Sequence, residues 1–315
     1  MKPTIIRANK KAAFTIVELL TVMSIVVILI GLLVPALNSV RRYATGVKQR
    51  AQFNAIAAGL EMFQNDFEEY PNSKGIDLNG IPYCGAMKLA EAMVGQDLLG
   101  FHPQSTFLAN SISAGSLANG QFYRLTNQQD YIASLAARKD PYLPVDKVPA
   151  FQLTSIYPDT GIFGSVTPPT DQMFVLTDVF KRAQNLSDTG PSKIGMPVLY
   201  YKASESGQYH DPTVVDLANY SAPGNIYNYC DNKDIINLQL PWAPGSTNPD
   251  EMHVYSSTQA GIERFYDSTE DIRIRAATGG AGFHRPFRPE SYILISAGYD
   301  GRYGTSDDIT NFEQQ

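Results

Sequence analysis

Between Phe14 and Val34 the chain reads FTIVELLTVMSIVVILIGLLV, about 21 residues in which Glu18 is the only charge. A carboxylate within an apolar span costs a few kcal/mol in hydrocarbon, so it is a functional residue by default and needs a cation. Were the chain cut before Phe14, the new α-amine would lie about one helical turn from Glu18, on the same or a neighbouring chain. Pairing the two would satisfy both charges, and between chains it would fix the axial register of packed helices. The alternative is a glutamate near the membrane edge whose carboxylate reaches back to water.

A second concentration of acids lies near the C-terminus, in SAGYDGRYGTSDDITNF. Asp300, Asp307 and Asp308 crowd a loop that also holds Gly298, Gly301, Gly304 and Ser306. Hard cations take six to eight oxygens from carboxylates, hydroxyls and carbonyls, and glycines let a short loop turn its carbonyls inward. Arg302 and Gly304 stand where the third and fifth ligands of an EF-hand belong, so that motif is excluded. A solvated acidic turn accounts equally well for the composition.

Other chemistry-bearing residues form no pattern. His102, His210, His253 and His284 show no helical pairing and read as surface or core residues rather than ligands. Glu263 with Glu270 or Asp271 could pose as a glycosidase pair, but nothing in the sequence brings them together. The chain has no Gly-x-Ser-x-Gly elbow, P-loop or dinucleotide fingerprint, and GGAGFHRPFRPE at 279–290 lacks the P-loop Lys-Ser/Thr. The 18 tyrosines could line a carbohydrate-binding face or fill a loop-rich core. Cys84 and Cys230 are too few for a disulfide scaffold and lack zinc-site spacing. Outside the cytoplasm they could pair, closing a loop of about 145 residues worth roughly 4–5 kcal/mol in the chain-entropy model. Two unpaired core cysteines are the alternative.

The elements that must position these residues follow from periodicity. The apolar span is about 31 Å long as a helix, enough to cross a bilayer core. It continues past Pro35, where Val47, Ala51, Ala55 or Ile56, Leu60 and Phe63 recur at helical spacing until Pro71. One helix over 14–68, membrane-spanning at 14–34, would reach on the order of 80 Å and could both anchor and pack on a domain. Pro35 removes a backbone hydrogen bond, and Gly31 weakens the same turn. A secretory signal peptide fits poorly, because its apolar stretch is shorter and carries no carboxylate. Downstream, Ala86–Leu99 predicts a short helix. FVLTDVF at 174–180 predicts a strand or a short helix, and MPVLYYKA at 196–203 and SYILISA at 291–297 predict strands. One long helix followed by strands and loops predicts an α+β class, with an antiparallel sheet packed on the second half of the helix.

Charge sets the orientation. The chain carries 25 basic and 31 acidic residues, a net −6 that gives no reason to expect a nucleic-acid partner. Four of the basic residues (Lys2, Arg7, Lys10, Lys11) lie in the first thirteen positions, leaving 21 against 31, net −10, for the remainder. A basic N-terminus before the span places it in the cytoplasm and the body on the far side, although Arg41 and Arg42 after Pro35 weaken the bias.

Ala13-Phe14-Thr15-Ile16-Val17-Glu18 followed by an apolar run resembles the class III signal of type IV prepilins and type II secretion pseudopilins. The resemblance covers about a fifth of the chain and extends to the helix proline, here Pro35. It departs at Ala13, where the family usually has glycine. It implies that residues 1–13 are a leader, that a prepilin peptidase cuts between Ala13 and Phe14 and N-methylates Phe14, and that Glu18 meets the Phe14 amine of an adjacent subunit. It further implies a pilin-like fold, with 69–315 as a periplasmic domain holding an enlarged insertion at about 104–285. The Asp-Gly after the last strand and the acidic pair before Ile309 are similar to the calcium loop of major secretion pseudopilins. On that likeness a calcium loop spans 297–310, with side-chain oxygens from Asp300, Asp307 and Asp308 and a backbone carbonyl from Ala297.

The expected function is therefore structural rather than enzymatic: a pseudopilin of a type II secretion-like filament. Such a subunit is single-pass in the inner membrane and self-assembles with other pseudopilins on an inner-membrane assembly platform. A subunit of a type IV pilus for adhesion, motility or DNA uptake is the nearest alternative. A membrane-anchored glycan-binding protein or hydrolase is the alternative of another class.

Overall fold

The computed structural model describes residues 15–109, 122, 123, 125, 127–144, 146, 148–157, 173–187, 190, 192–277 and 284–312. The leader residues 1–13, with Ala13, and Phe14 lie outside the described residues. The chain divides into two compact units, residues 1–45 and 46–315.

The first element, α1, is a helix of 52 residues, Ile16–Phe67, that continues through Pro35. Within the first unit every described residue from 15 to 44 is exposed. The helix is long and apolar enough to cross a membrane, and no residue of its most apolar stretch is buried. Ser39 Oγ donates to Pro35 O at 3.3 Å, one of several Ser and Thr side chains that bond back to carbonyls in this half.

In the second unit, α1 buries Gln49, Gln52, Phe53, Ile56, Gly59, Leu60 and Phe63. The expected stripe is therefore rotated: Ile56, Leu60 and Phe63 are core, while Val47 and Ala51 are exposed. Two glutamines explain the rotation. Gln52 Nε2 donates to Thr177 O at 2.6 Å, and Val179 N donates to Gln49 Oε1 at 3.0 Å. Polar side chains thus satisfy backbone groups of a neighbouring loop, which hydrophobic periodicity does not register. Gly59 allows close approach, since a Cβ there would stand 2.8 Å from Met93 Sδ.

Next comes α2, Gly85–Val94, shorter than the predicted 86–99 helix. Gly95, at φ 81°, ends it with its N–H bonded to Glu91 O. All ten residues of α2 are buried, Lys88 and Glu91 included. Lys88 Nζ donates to the carbonyls of Lys74 (2.6 Å) and Ile76 (3.1 Å), and Glu91 accepts from Tyr83 and Ser105 hydroxyls and from Gln96 (2.9 Å). With these partners a helix of ten residues can be enclosed on all sides.

The helix α3 (Gln128–Ala137) leads to short antiparallel pairs: β1 (Ala150–Gln152) with β2 (Phe174–Leu176), and β3 (Ala183–Gln184) with β4 (Lys193–Ile194). Residues 174–180 thus begin as a strand. The strand β5 (Leu199–Lys202) follows, then helices α4 (Lys233–Asn237), α5 (Gln259–Thr269) and α6 (Ile272–Ala277). The chain ends in β6 (Tyr292–Ser296) and β7 (Ile309–Thr310). These complete a three-stranded antiparallel sheet, β5-β6-β7, with Tyr200 opposite Leu294 and Ile295 opposite Thr310.

The coarse class is α+β, with a long apolar N-terminal helix and small antiparallel sheets. A further strand, β7, follows SYILISA, and the stretch 104–285 supplies β5 to the C-terminal sheet. Nine tyrosines are among the largest fully buried side chains, so much of the tyrosine content fills core rather than a binding face.

Candidate functional site

Glu18 lies in the first turn of α1, and the structure gives it a partner on its own chain. Thr15 N and Thr15 Oγ1 both donate to Glu18 Oε2, at 2.9 and 2.8 Å, while Glu18 N donates to Thr15 Oγ1 at 3.2 Å. Leu19 N reaches Thr15 O at 3.2 Å, so Thr15 is the N-cap. This reciprocal arrangement is a capping box, and its Thr-x-x-Glu spacing is plain in the sequence. Charge alone does not disclose it. Both bonds that the box makes to the carboxylate fall on the same oxygen, Oε2.

The C-terminal loop runs from β6 to β7. Its acids turn inward onto the loop's own groups. Asp300 N donates to Asp307 Oδ2 (2.9 Å), Arg302 N to Asp300 Oδ1 (2.7 Å), Gly304 N to Asp308 Oδ2 (2.7 Å) and Thr305 Oγ1 to Asp307 Oδ1 (2.6 Å). Gly298, at φ 64°, passes so close to Asp307 O that a Cβ would stand 2.2 Å from it. Only glycine fits there.

One oxygen is left over. Asp308 Oδ1 is buried and has no hydrogen-bond partner. Burial pushes the Asp308 carboxyl well above the usual range, and the neighbouring charges of Asp307 and Asp300 add to the rise. Burial likewise raises Asp300, with Asp307 contributing. Carboxylate oxygens are the ligands that hard cations take. In this arrangement, however, no group of three or more His, Cys, Asp or Glu side chains among the described residues is placed to hold a metal ion. The carboxylates are drawn to backbone amides instead.

The remaining candidates resolve individually. Cys84 and Cys230 are buried free thiols, both pushed up to about 12 chiefly by burial, and Cys230 Sγ faces Asp216 O at 3.6 Å. His102, His210 and His253 are buried. His284 Nδ1 pairs with Glu270 at 2.9 Å, Asp271 holds Arg273 at 2.8 Å, and Glu263 accepts from Gln259 at 3.0 Å. Each acid of the supposed glycosidase pair therefore has its own partner. A polar cleft of about 690 Å³ is lined by Ser73, Lys74, Lys202, Tyr220 and Asp231, and another of about 480 Å³ borders His284. Glu69 and Glu205 also line the first cleft, and Glu205 and Glu290 line the second.

Comparison of the chain with protein-family models, curated proteins and solved structures finds no match.

Proposed function

We propose that this chain is a pseudopilin-type subunit of a type II secretion-like filament. It is single-pass in the inner membrane, with a cytoplasmic N-terminus and a periplasmic body. A prepilin peptidase removes residues 1–13 between Ala13 and Phe14. The α1 helices of this and other pseudopilins then pack together, on an inner-membrane assembly platform.

The observation that carries this reading is the unburied apolar half of α1 with a single carboxylate in its first turn. A soluble protein does not leave an apolar surface of this extent in water. Lipid covers it before assembly, and neighbouring α1 helices cover it afterwards. Lipid alone does not call for an acid at the fifth position of the mature chain. An α-amine on the adjacent helix does, because the pair neutralises two charges where solvation is weak.

In the same reading the C-terminal loop takes calcium, through Asp300, Asp307, Asp308 and the Ala297 carbonyl. The orphaned Asp308 oxygen and the mutual repulsion of the acids support it. The bound ion would add positive charge beside three acids that share the loop with one arginine, Arg302.

The capping box favours a second reading, in which Glu18 merely starts the helix of a plain anchor. Mass spectrometry of the mature N-terminus, in cells with and without prepilin peptidase, separates the two. The pseudopilin reading expects a chain that begins at Phe14 and carries one methyl group. An intact leader in the cell envelope would overturn it.

A further inference from the structure

The only tryptophan of the chain, Trp242, is 41% exposed and leans on the acidic loop. A Cβ at Gly301 would stand 2.5 Å from Trp242 Cη2 and 3.4 Å from Arg182 Cβ and Cγ. The Arg182 guanidinium lies over two rings, 5.4 Å from the centroid of Trp242 and 5.8 Å from that of Tyr299. Tyr299 is itself 46% exposed, and Lys181 beside Arg182 is exposed too. Tryptophan, tyrosine and arginine are the side chains that most often carry the energy of protein interfaces. Stacking on aromatic faces restrains the guanidinium before any partner arrives, which lowers the ordering cost of binding.

Charge identifies the partner. Beyond residue 13 the chain holds 21 basic and 31 acidic residues, so a second copy presents an acidic body. A carboxylate is the group a preorganised guanidinium takes best. We propose that the Trp242–Arg182–Tyr299 stack docks on the acidic body of a second copy of this chain, and that the loop beneath it, through Tyr299 and Gly301, holds the stack in place. The proposal rests on the filament reading above, since it describes how adjacent bodies meet once their α1 helices have packed.

The test uses full-length chains in inner-membrane vesicles, with ¹⁴N- and ¹⁵N-labelled copies mixed. R182K places an amine at the stack, and a zero-length carbodiimide then joins amines to carboxylates in contact with them. Mixed-isotope peptides linking position 182 to an Asp or Glu of the other copy are expected. R182E should lower the links formed from Lys181 between copies at least tenfold, while W242F, which keeps an aromatic ring, should lower them less. Thermal unfolding of each variant reports on folding. A V27C reporter, whose disulfide joins adjacent α1 helices, reports on assembly independently. If α1 helices link and position 182 does not, the docking surface is wrong and the filament stands. If α1 helices do not link, both fail.

Discussion

From residue 15 to residue 44 nothing in the chain is buried, whereas between Gln49 and Phe63 the same helix buries seven side chains. The sequence changes with the burial. The first half is almost entirely aliphatic and holds its one acid at the start. The second half mixes Gln, Phe, Ile, Gly and Leu on the inner face with charged residues outside. A helix that packs on its own domain needs one apolar face, and Gly59 and the two glutamines show how closely that face is fitted to particular neighbours. A helix that is apolar on all sides has no such fit, and among the described residues nothing buries it. The contrast teaches that α1 is two devices in one element: an internal core helix and an unpartnered surface.

The largest expected effect tests the unpartnered half. Glu18→Leu improves the span as a lipid helix, so a plain anchor would tolerate it. In the filament reading it removes the acid that meets the Phe14 amine, leaving a cation without a partner in a poorly solvated place, a cost of a few kcal/mol. Linking of V27C pairs should fall at least tenfold. Wild-type levels of linking would refute the pairing of Glu18 with the Phe14 amine as the contact that assembles the helices.

Core substitutions probe the other half. Leu60 is fully buried, and Leu60→Ala should lower the unfolding free energy of the body by about 2–5 kcal/mol. Leu29, exposed in the first half, should change it by less than about 0.5 kcal/mol when replaced by Ala. Denaturant unfolding of full-length chains in detergent, followed by Trp242 fluorescence, checks both. Equal effects would mean that the two halves are not distinct devices.

Much of this contrast is legible in the amino-acid order alone. Ile56, Leu60 and Phe63 carry a helical period, and the aliphatic run before Pro35 has the length of a membrane span. MPVLYYKA and SYILISA became β5 and β6 because β-branched and aromatic residues suit a buried strand. Illegible were the features that depend on specific polar partners: Gln49 and Gln52 facing the backbone of 177 and 179, and Lys88 enclosed by two carbonyls. The strand β7 has two residues and pairs only because β6 is already in place, so no local period announces it. At the C-terminal loop the acids were visible, but not their capture by loop amides, which is a matter of turn geometry.

Calcium tests that loop. At a hundredfold excess over its dissociation constant, a ligand specific to the native state stabilises by about 2.7 kcal/mol. Calcium should therefore raise the melting temperature of the wild-type chain relative to a chelator control, and Asp308→Asn should abolish the shift. Asp308→Asn should also raise stability without calcium, since it removes a carboxyl whose charged form is unfavourable in the fold. No calcium-dependent shift in the wild type would remove the ion from the proposal.

A smaller effect concerns the body in acid. Burial lowers His210 to about 4, and its Nδ1 has no hydrogen-bond partner. A histidine depressed in the folded state contributes stability that is fully present above its unfolded value of about 6.5 and is lost as pH falls through 4. Unfolding free energy should thus decline between about pH 6.5 and 4, and His210→Gln should flatten part of that slope. An unchanged slope would show that His210 is solvated in the folded protein.

The smallest effect bears most directly on Glu18. Thr15→Ala removes the cap hydroxyl that donates to Glu18 and accepts from its amide, but it leaves the carboxylate in place. Loss of an N-cap costs about 1 kcal/mol, confined to the first turn of the helix. If Glu18 is there to start α1, Thr15→Ala and Glu18→Leu remove the same device and should impair V27C linking to similar degrees. If Glu18 is there for an amine on the next chain, Thr15→Ala frees the carboxylate for that partner, and linking should stay within about fivefold of wild type, the equivalent of 1 kcal/mol. The capping box then serves the single chain while it waits in the membrane. It keeps the acid hydrogen-bonded until a neighbour supplies the stronger, charge-assisted bond.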